Sequence, residues 1–150
     1  MEIQRGNRPD LYNLRFEKEE PIVPRFLRFE VTERVSSIGE ELVGLNTEDL
    51  DSIISVCREE GVEAIAIQFL HSYAAPEHEE KTATYLRKKL PNVSITASYE
   101  ITREWREYER ANTAVLNAYV QPIIQKYFSS LENELQKSNV RPPYAAMQSN

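Results

Sequence analysis

VEAIAIQFL, at residues 62–70, is a nearly continuous apolar run bounded by Gly61 and by the His71-Ser72 pair. A run of this kind is what a central strand covered on both faces needs. The segment before it, Asn46 to Glu60, predicts a helix. Leu50, Ile53, Ile54 and Cys57 follow the i, i+3, i+4, i+7 pattern of a helical face. Asn46 can cap that helix, Leu45 and Leu50 stand at the positions of a hydrophobic staple, and Gly61 suits its end. After the run, Pro76 opens a second helix, where a missing N–H matters little. Glu77, Glu79 and Glu80 lie in its first turn and Arg87, Lys88 and Lys89 in its last, which matches the helix dipole. Pro91 closes it, and VSITA at 93–97 reads as a short strand.

Working outward, RFLRFEVTERV at 25–35 alternates, with Phe29, Val31, Glu33 and Val35 on one face. With SSIGE as the turn and ELVGL at 41–45 as the return, it predicts a β-hairpin. A long helix is expected from about Glu104 to Gln136. One stripe holds Tyr108, Val115, Tyr119, Ile123, Tyr127, Leu131 and Leu135, and a second holds Leu116, Val120, Ile124 and Phe128. Pro122 should kink this helix or split it in two. PYAAMQ at 143–148 reads as a last strand. Residues 1–26, punctuated by Pro9, Pro21 and Pro24, read as an extended arm ahead of an α/β domain at 27–150. The order hairpin–α–β–α–β–α–β implies a layered α/β domain, its last three strands largely parallel and joined by right-handed crossovers.

Composition narrows the function. The 150 residues are 41% hydrophobic and 28% charged, ordinary for one globular domain. A net charge of −6 argues against a broad nucleic-acid surface, which needs basic patches. The start of the chain has no apolar leader, and no stretch approaches the ~20 apolar residues of a membrane span. The expected setting is the cytoplasm, with neither nucleic acid nor membrane as partner. The lone Cys57 excludes an internal disulfide. On its apolar stripe it is either packing or, in an electropositive and accessible site, a reactive thiol.

His71, Ser72 and Tyr73 stand where the buried strand gives way to a loop, and in open α/β sheets ligands bind at the carboxyl ends of strands. His78 and Glu79 begin the next helix, whose free amides favour an anion. These two histidines are the only ones in the chain. They suit carbonyl or phosphate polarisation and proton transfer, or else local hydrogen bonding and capping. Their spacing matches no established zinc pattern, so no metal site is expected. Arg103, Glu104, Arg106, Glu107, Glu109 and Arg110 crowd around Trp105 and Tyr108. On a helix Arg106 and Arg110 are i, i+4 neighbours that can grip a carboxylate or phosphate with their forks, unless the charges only decorate a solvated face. With four glycines in all, the chain has no Gly-rich phosphate loop.

Several runs together resemble the hydantoinase A/oxoprolinase family. They are RGNRPDLYNL at 5–14, FEVTERV at 29–35, GVEAIAIQFLHSY at 61–73 with PEHE at 76–79, REYER at 106–110 with NAYV at 117–120, and MQSN at 147–150. The family includes ATP-dependent N-methylhydantoinases, 5-oxoprolinases and ketone carboxylase subunits. The resemblance implies an internal segment of an actin-like (ribonuclease H-like) ATPase that opens a cyclic amide such as hydantoin or 5-oxoproline. It implies ATP and Mg as cofactors, neither held tightly by these residues alone, because the family's Gly-Gly-Thr phosphate loop has no match here. It further implies His71 as the group for polarisation or proton transfer, Arg106 and Arg110 as anion contacts, and Ser72, His78 and Glu79 beside them. The chain is then expected to be a truncated segment, inactive alone. Its partners would be the rest of a hydantoinase A chain, a hydantoinase B-like subunit or a second copy. A non-catalytic docking subunit and a segment of a ketone carboxylase are the alternatives. Ala75, Tyr99 and Arg103 depart from the family's usual Asn, His and Pro. The first removes a good cap, at about 1 kcal/mol.

Overall fold

The computed structural model describes residues 12–16, 20–140 and 142–145. After a 3₁₀ turn at Arg25–Leu27, its strands and α-helices are β1 (Arg34–Val35), β2 (Glu41–Val43), α1 (Thr47–Glu59), β3 (Ala64–Ile67), α2 (Glu77–Lys89), β4 (Ser94–Ala97), α3 (Ser98–Ile101) and α4 (Glu107–Lys137). The fold is mixed α/β. β3 and β4 pair in parallel, with Ala64 opposite Ser94 and Ile67 opposite Ala97. β1 and β2 form a separate antiparallel pair.

Local signals explain α1. Asn46 is extended and its side-chain oxygen accepts from the Glu48 amide at 3.0 Å. Gly61 takes a φ of 62°, the left-handed conformation that favours glycine just past a helix end. Asn46→Ala is therefore expected to destabilise the chain by about 1 kcal/mol, read as a lower urea midpoint with an unchanged slope.

The core joins α1, α2 and the parallel pair: Ile54 and Cys57 meet Ile67, Ala83, Leu86, Leu90, Ile95 and Ala97. Cys57 is buried within this core, where burial also pushes its thiol pKa up, as suits packing. α4 lies along both strands.

Several expectations need correction. β3 is not central among the described residues, since its sheet has two strands, and only Ile67 of its four residues is fully buried. The Ser94 amide donates to the Glu63 carbonyl at 2.9 Å, so residues 63, 65 and 67 turn their backbone toward β4. Alternation then points that of Ala64 and Ala66 the other way. The hairpin is far shorter than the alternation at 25–35 suggested. Arg25–Leu27 is a 3₁₀ turn, and pairing is irregular between Arg34 and Val35. The alternation still sets burial from residue 31 on, with Val35 buried and Val31 and Glu33 half-buried while Thr32 and Arg34 are exposed, whereas Phe26 and Phe29 stay exposed.

α4 runs unbroken through Pro122, which removes one donor from the ladder without splitting the helix. Neither large stripe faces the sheet. The buried positions are Arg110, Ala111, Ala114 and Ala118, small side chains that let the helix approach the strands closely. Tyr119, Ile123 and Tyr127 are each more than 60% exposed. The expected strand at 143–148 is absent over 143–145, and the rest lies outside the described residues. α3 was not foreseen; four residues are too few to show a period.

Candidate functional site

The carboxyl ends of β3 and β4 lie side by side, and the loops leaving them share one buried polar node. Glu79, in the first turn of α2, has no exposed surface. Its carboxylate accepts from the Phe69 amide at 2.8 Å, the Tyr99 amide at 3.0 Å and the Ser98 hydroxyl at 2.8 and 3.0 Å. Arg110, equally buried, donates from Nη2 to the Phe69 carbonyl at 2.7 Å and from Nη1 to the Glu104 carbonyl at 2.6 Å. Its Nε donates to the Ser98 hydroxyl at 3.2 Å. Ser98 therefore stands between a buried carboxylate and a buried guanidinium, accepting from one and donating to the other. Ser72 adds a bond from its hydroxyl to the Phe69 carbonyl at 3.2 Å. Burying two charges is tolerable here because most of their hydrogen-bonding capacity is met.

This node fixes the loop that carries His71. That residue has a φ of 60°, a left-handed conformation a non-glycine residue adopts at some strain. Its carbonyl accepts from the amides of Ala74 and Ala75 at 2.9 and 3.1 Å, folding the loop into a turn. The half-buried ring places Nδ1 3.4 Å from the Tyr73 hydroxyl, with the two rings edge to face. The Arg110 guanidinium lies 5.8 Å from the centre of the Tyr73 ring.

The structure thus brings together His71, Ser72, Glu79 and Arg110. Two other residues lie apart from them. Arg106 does not pair with Arg110 across a helical turn, because it is the extended N-cap of α4 and lies outside the helix. Its guanidinium sits over the exposed Trp105 ring at 5.3 Å. Both arginines cannot grip one anion in this arrangement, since Arg110 donates inward and Arg106 faces solvent. His78, next to Glu79, points to the hairpin. Its Nδ1 is 2.8 Å from Glu33 Oε2 and its Nε2 is 2.7 Å from Glu41 Oε2. Burial of the ring opposes the charged form, but the hydrogen bonds it donates to Glu33 and Glu41 outweigh it and raise the His78 pKa. The bond from His78 correspondingly lowers the Glu41 pKa, against a smaller opposing effect of burial.

Sequence reasoning missed Ser98, Glu33 and Glu41. Ser98 had a usable signal, since it follows a strand parallel to β3 and its end belongs at the same crevice. Among the described residues no group of His, Cys, Asp and Glu is arranged to hold a metal ion, and no helix is long and apolar enough to cross a membrane.

Comparison with known proteins bears on the family. The profile of the hydantoinase/oxoprolinase N-terminal region matches residues 1–90, and that of hydantoinase/oxoprolinase matches residues 110–150. An uncharacterized protein of Methanocaldococcus jannaschii is 38% identical over 149 residues, 99% of this chain and 22% of its own length. Caprolactamase subunit alpha of Pseudomonas jessenii is 31% identical across 100% of this chain and 22% of its own. The crystal structure of the ATP-dependent caprolactamase from that organism superposes with a TM-score of 0.84 at 30% identity, covering 95% of this chain and 21% of that one. The chain thus spans about a fifth of the length of these relatives. On the match to residues 1–90 and the fold shared with caprolactamase, the chain belongs to the hydantoinase/oxoprolinase family.

Proposed function

We propose that this chain supplies one wall of the site of an ATP-dependent enzyme that opens a cyclic amide, a lactam, hydantoin or 5-oxoproline ring. The observation that carries this reading is the Glu79–Ser98–Arg110 node, which holds the His71 loop rigidly at the carboxyl ends of two parallel strands. Roles divide by exposure. Glu79, Arg110 and Ser72 position the loop, and His71, with Tyr73 beside it, is the group for polarisation or proton transfer. Arg106, exposed on Trp105, is the one arginine of the pair open to an anion. The hairpin and parallel unit are read as part of an actin-like ATPase half. ATP and Mg would be held mainly by residues outside these 150, which contain no Gly-rich loop. The purified chain, incubated with Mg-ATP and a panel of lactams and hydantoins, is expected to release no phosphate and to show no nucleotide-induced rise in melting temperature. Phosphate release that disappears in His71→Ala would overturn the assignment of nucleotide chemistry to residues elsewhere.

A second reading is a docking subunit without chemistry of its own, favoured by the exposed apolar length of α4. Tyr119, Ile123, Tyr127 and Phe128 form a surface suited to the rest of a hydantoinase A chain, a hydantoinase B-like subunit or a second copy. Similarity to the acetone carboxylase beta subunit of Xanthobacter autotrophicus supports a ketone-carboxylase segment as the alternative within the family. Stable co-purification with a family subunit that gains no turnover from this chain would favour docking.

A further inference from the structure

The hairpin is tied to the rest of the chain at two places of different character. At its base the Thr32 amide donates to Asp49 Oδ2 at 2.8 Å and the Asn46 amide to the Thr32 carbonyl at 2.9 Å, joining it to the start of α1. Further along, the polar tie is His78, between Glu33 at the foot of β1 and Glu41 in β2, next to the buried Val35. Neither β1 nor β2 packs extensively on a helix. The tip reaches the loop of the candidate site, where a Cβ placed on Gly39 would stand 3.7 Å from that of Ala75.

With both carboxylates ionised, two ring nitrogens facing their oxygens below 2.9 Å both carry hydrogen, so the arrangement suits an imidazolium. Removing its proton leaves a nitrogen lone pair against a carboxylate oxygen. We propose that the β1–β2 hairpin is a strap across the start of α2, latched by protonated His78 and released when that ring loses its proton. Release frees the Ala75 end of the loop that carries His71 and leaves the base of the hairpin, held by Asp49 and Asn46, as the hinge. The charged groups facing the latch are Glu33 from the foot of β1, Glu41 from β2 and, acting on Glu41, Lys81 from α2 itself.

The direction of the pH response follows. The His78 pKa is raised above its ordinary 6.5, so the latch is complete below that value and is lost as pH rises through the raised one. The Glu41 pKa is lowered below its ordinary 4.5, so its half of the latch is complete above that value and fails only in stronger acid. Between these limits the strap is closed.

Hydrogen exchange of the hairpin amides, corrected for the intrinsic pH dependence, tests this on the intact chain between pH 5 and 9. The Glu40 amide, which donates to the Ser36 hydroxyl, and those of β1 and β2 are the probes. Their exchange is expected to rise by about tenfold or more across the His78 titration, as loss of charge-assisted bonds implies, while α1 amides hold. The His78 ring, followed by NMR in the same sample, should titrate above 6.5 and with the same midpoint. His78→Gln should make hairpin exchange fast and flat with pH. If that variant fails to fold, Glu41→Gln, at a side chain 57% exposed, should lower the midpoint instead. A ring that titrates at or below its ordinary value, or hairpin protection that stays level through its titration, would overturn the latch.

Discussion

Arg110→Ala is expected to cost about 3–5 kcal/mol of folding stability, the range for leaving a buried charge without its partners. Three bonds are lost at once: to the carbonyls of Phe69 and Glu104 and to the Ser98 hydroxyl. The more serious consequence is for Glu79, which stays buried with its carboxylate charge while the only guanidinium linked to it through Ser98 disappears. Because a domain of this size has roughly 5–15 kcal/mol in total, such a loss approaches outright unfolding. Arg110→Lys should recover only part of it. An ammonium keeps the charge but cannot reach two carbonyls and a hydroxyl in one plane. Urea titrations of the wild type and both variants measure the order directly. A loss below about 1 kcal/mol for the alanine variant would mean that water replaces the guanidinium and the node is no fixed strut.

The second large effect belongs to the apolar core. Leu86→Ala removes a side chain 2% exposed, packed among Ile54, Cys57, Ile67, Leu90 and Ile95. A loss of about 2–5 kcal/mol is expected, depending on how far the site collapses. The two substitutions should differ in kind. Leu86→Ala leaves the polar node intact, so the environment of Tyr73 and His71 should be unchanged wherever the variant is folded. Arg110→Ala should alter both rings, which NMR of the folded fraction separates cleanly.

The elements from 46 to 97 were legible because their signals are local. A capping asparagine, a glycine at φ 62°, acids and bases at opposite helix ends and an apolar run each act within a few residues. The flanks were not legible, because their state depends on distant partners. The alternation at 25–35 marks which side is buried near Val35, but only Arg34 and Val35 pair as a strand. The large stripes of α4 had a helix's pattern while its alanines made the contact. The site divides in the same way. Proximity of His71, Ser72 and Glu79 followed from strand ends and a helix start. The pairing of Arg106 with Arg110 assumed a helix already formed at Arg106, whereas α4 begins at Glu107. Ser98, the group both buried charges share, is placed at the crevice by the strand it follows, but its two partners are defined only by what the sheet brings beside it.

The backbone of β3 that faces away from β4 carries a practical consequence. Edge strands are commonly guarded by lysine, proline, a bulge or an inward charge that discourages a stranger from pairing. β3 reads Ala64, Ile65, Ala66, Ile67, with none of these guards. Among the described residues no strand pairs with this edge, and its aliphatic side chains border a template onto which an extended segment can zip. Concentration, rather than temperature, is therefore the variable to watch when this chain is handled by itself, and a short extended peptide that occupies the edge should keep it dispersed.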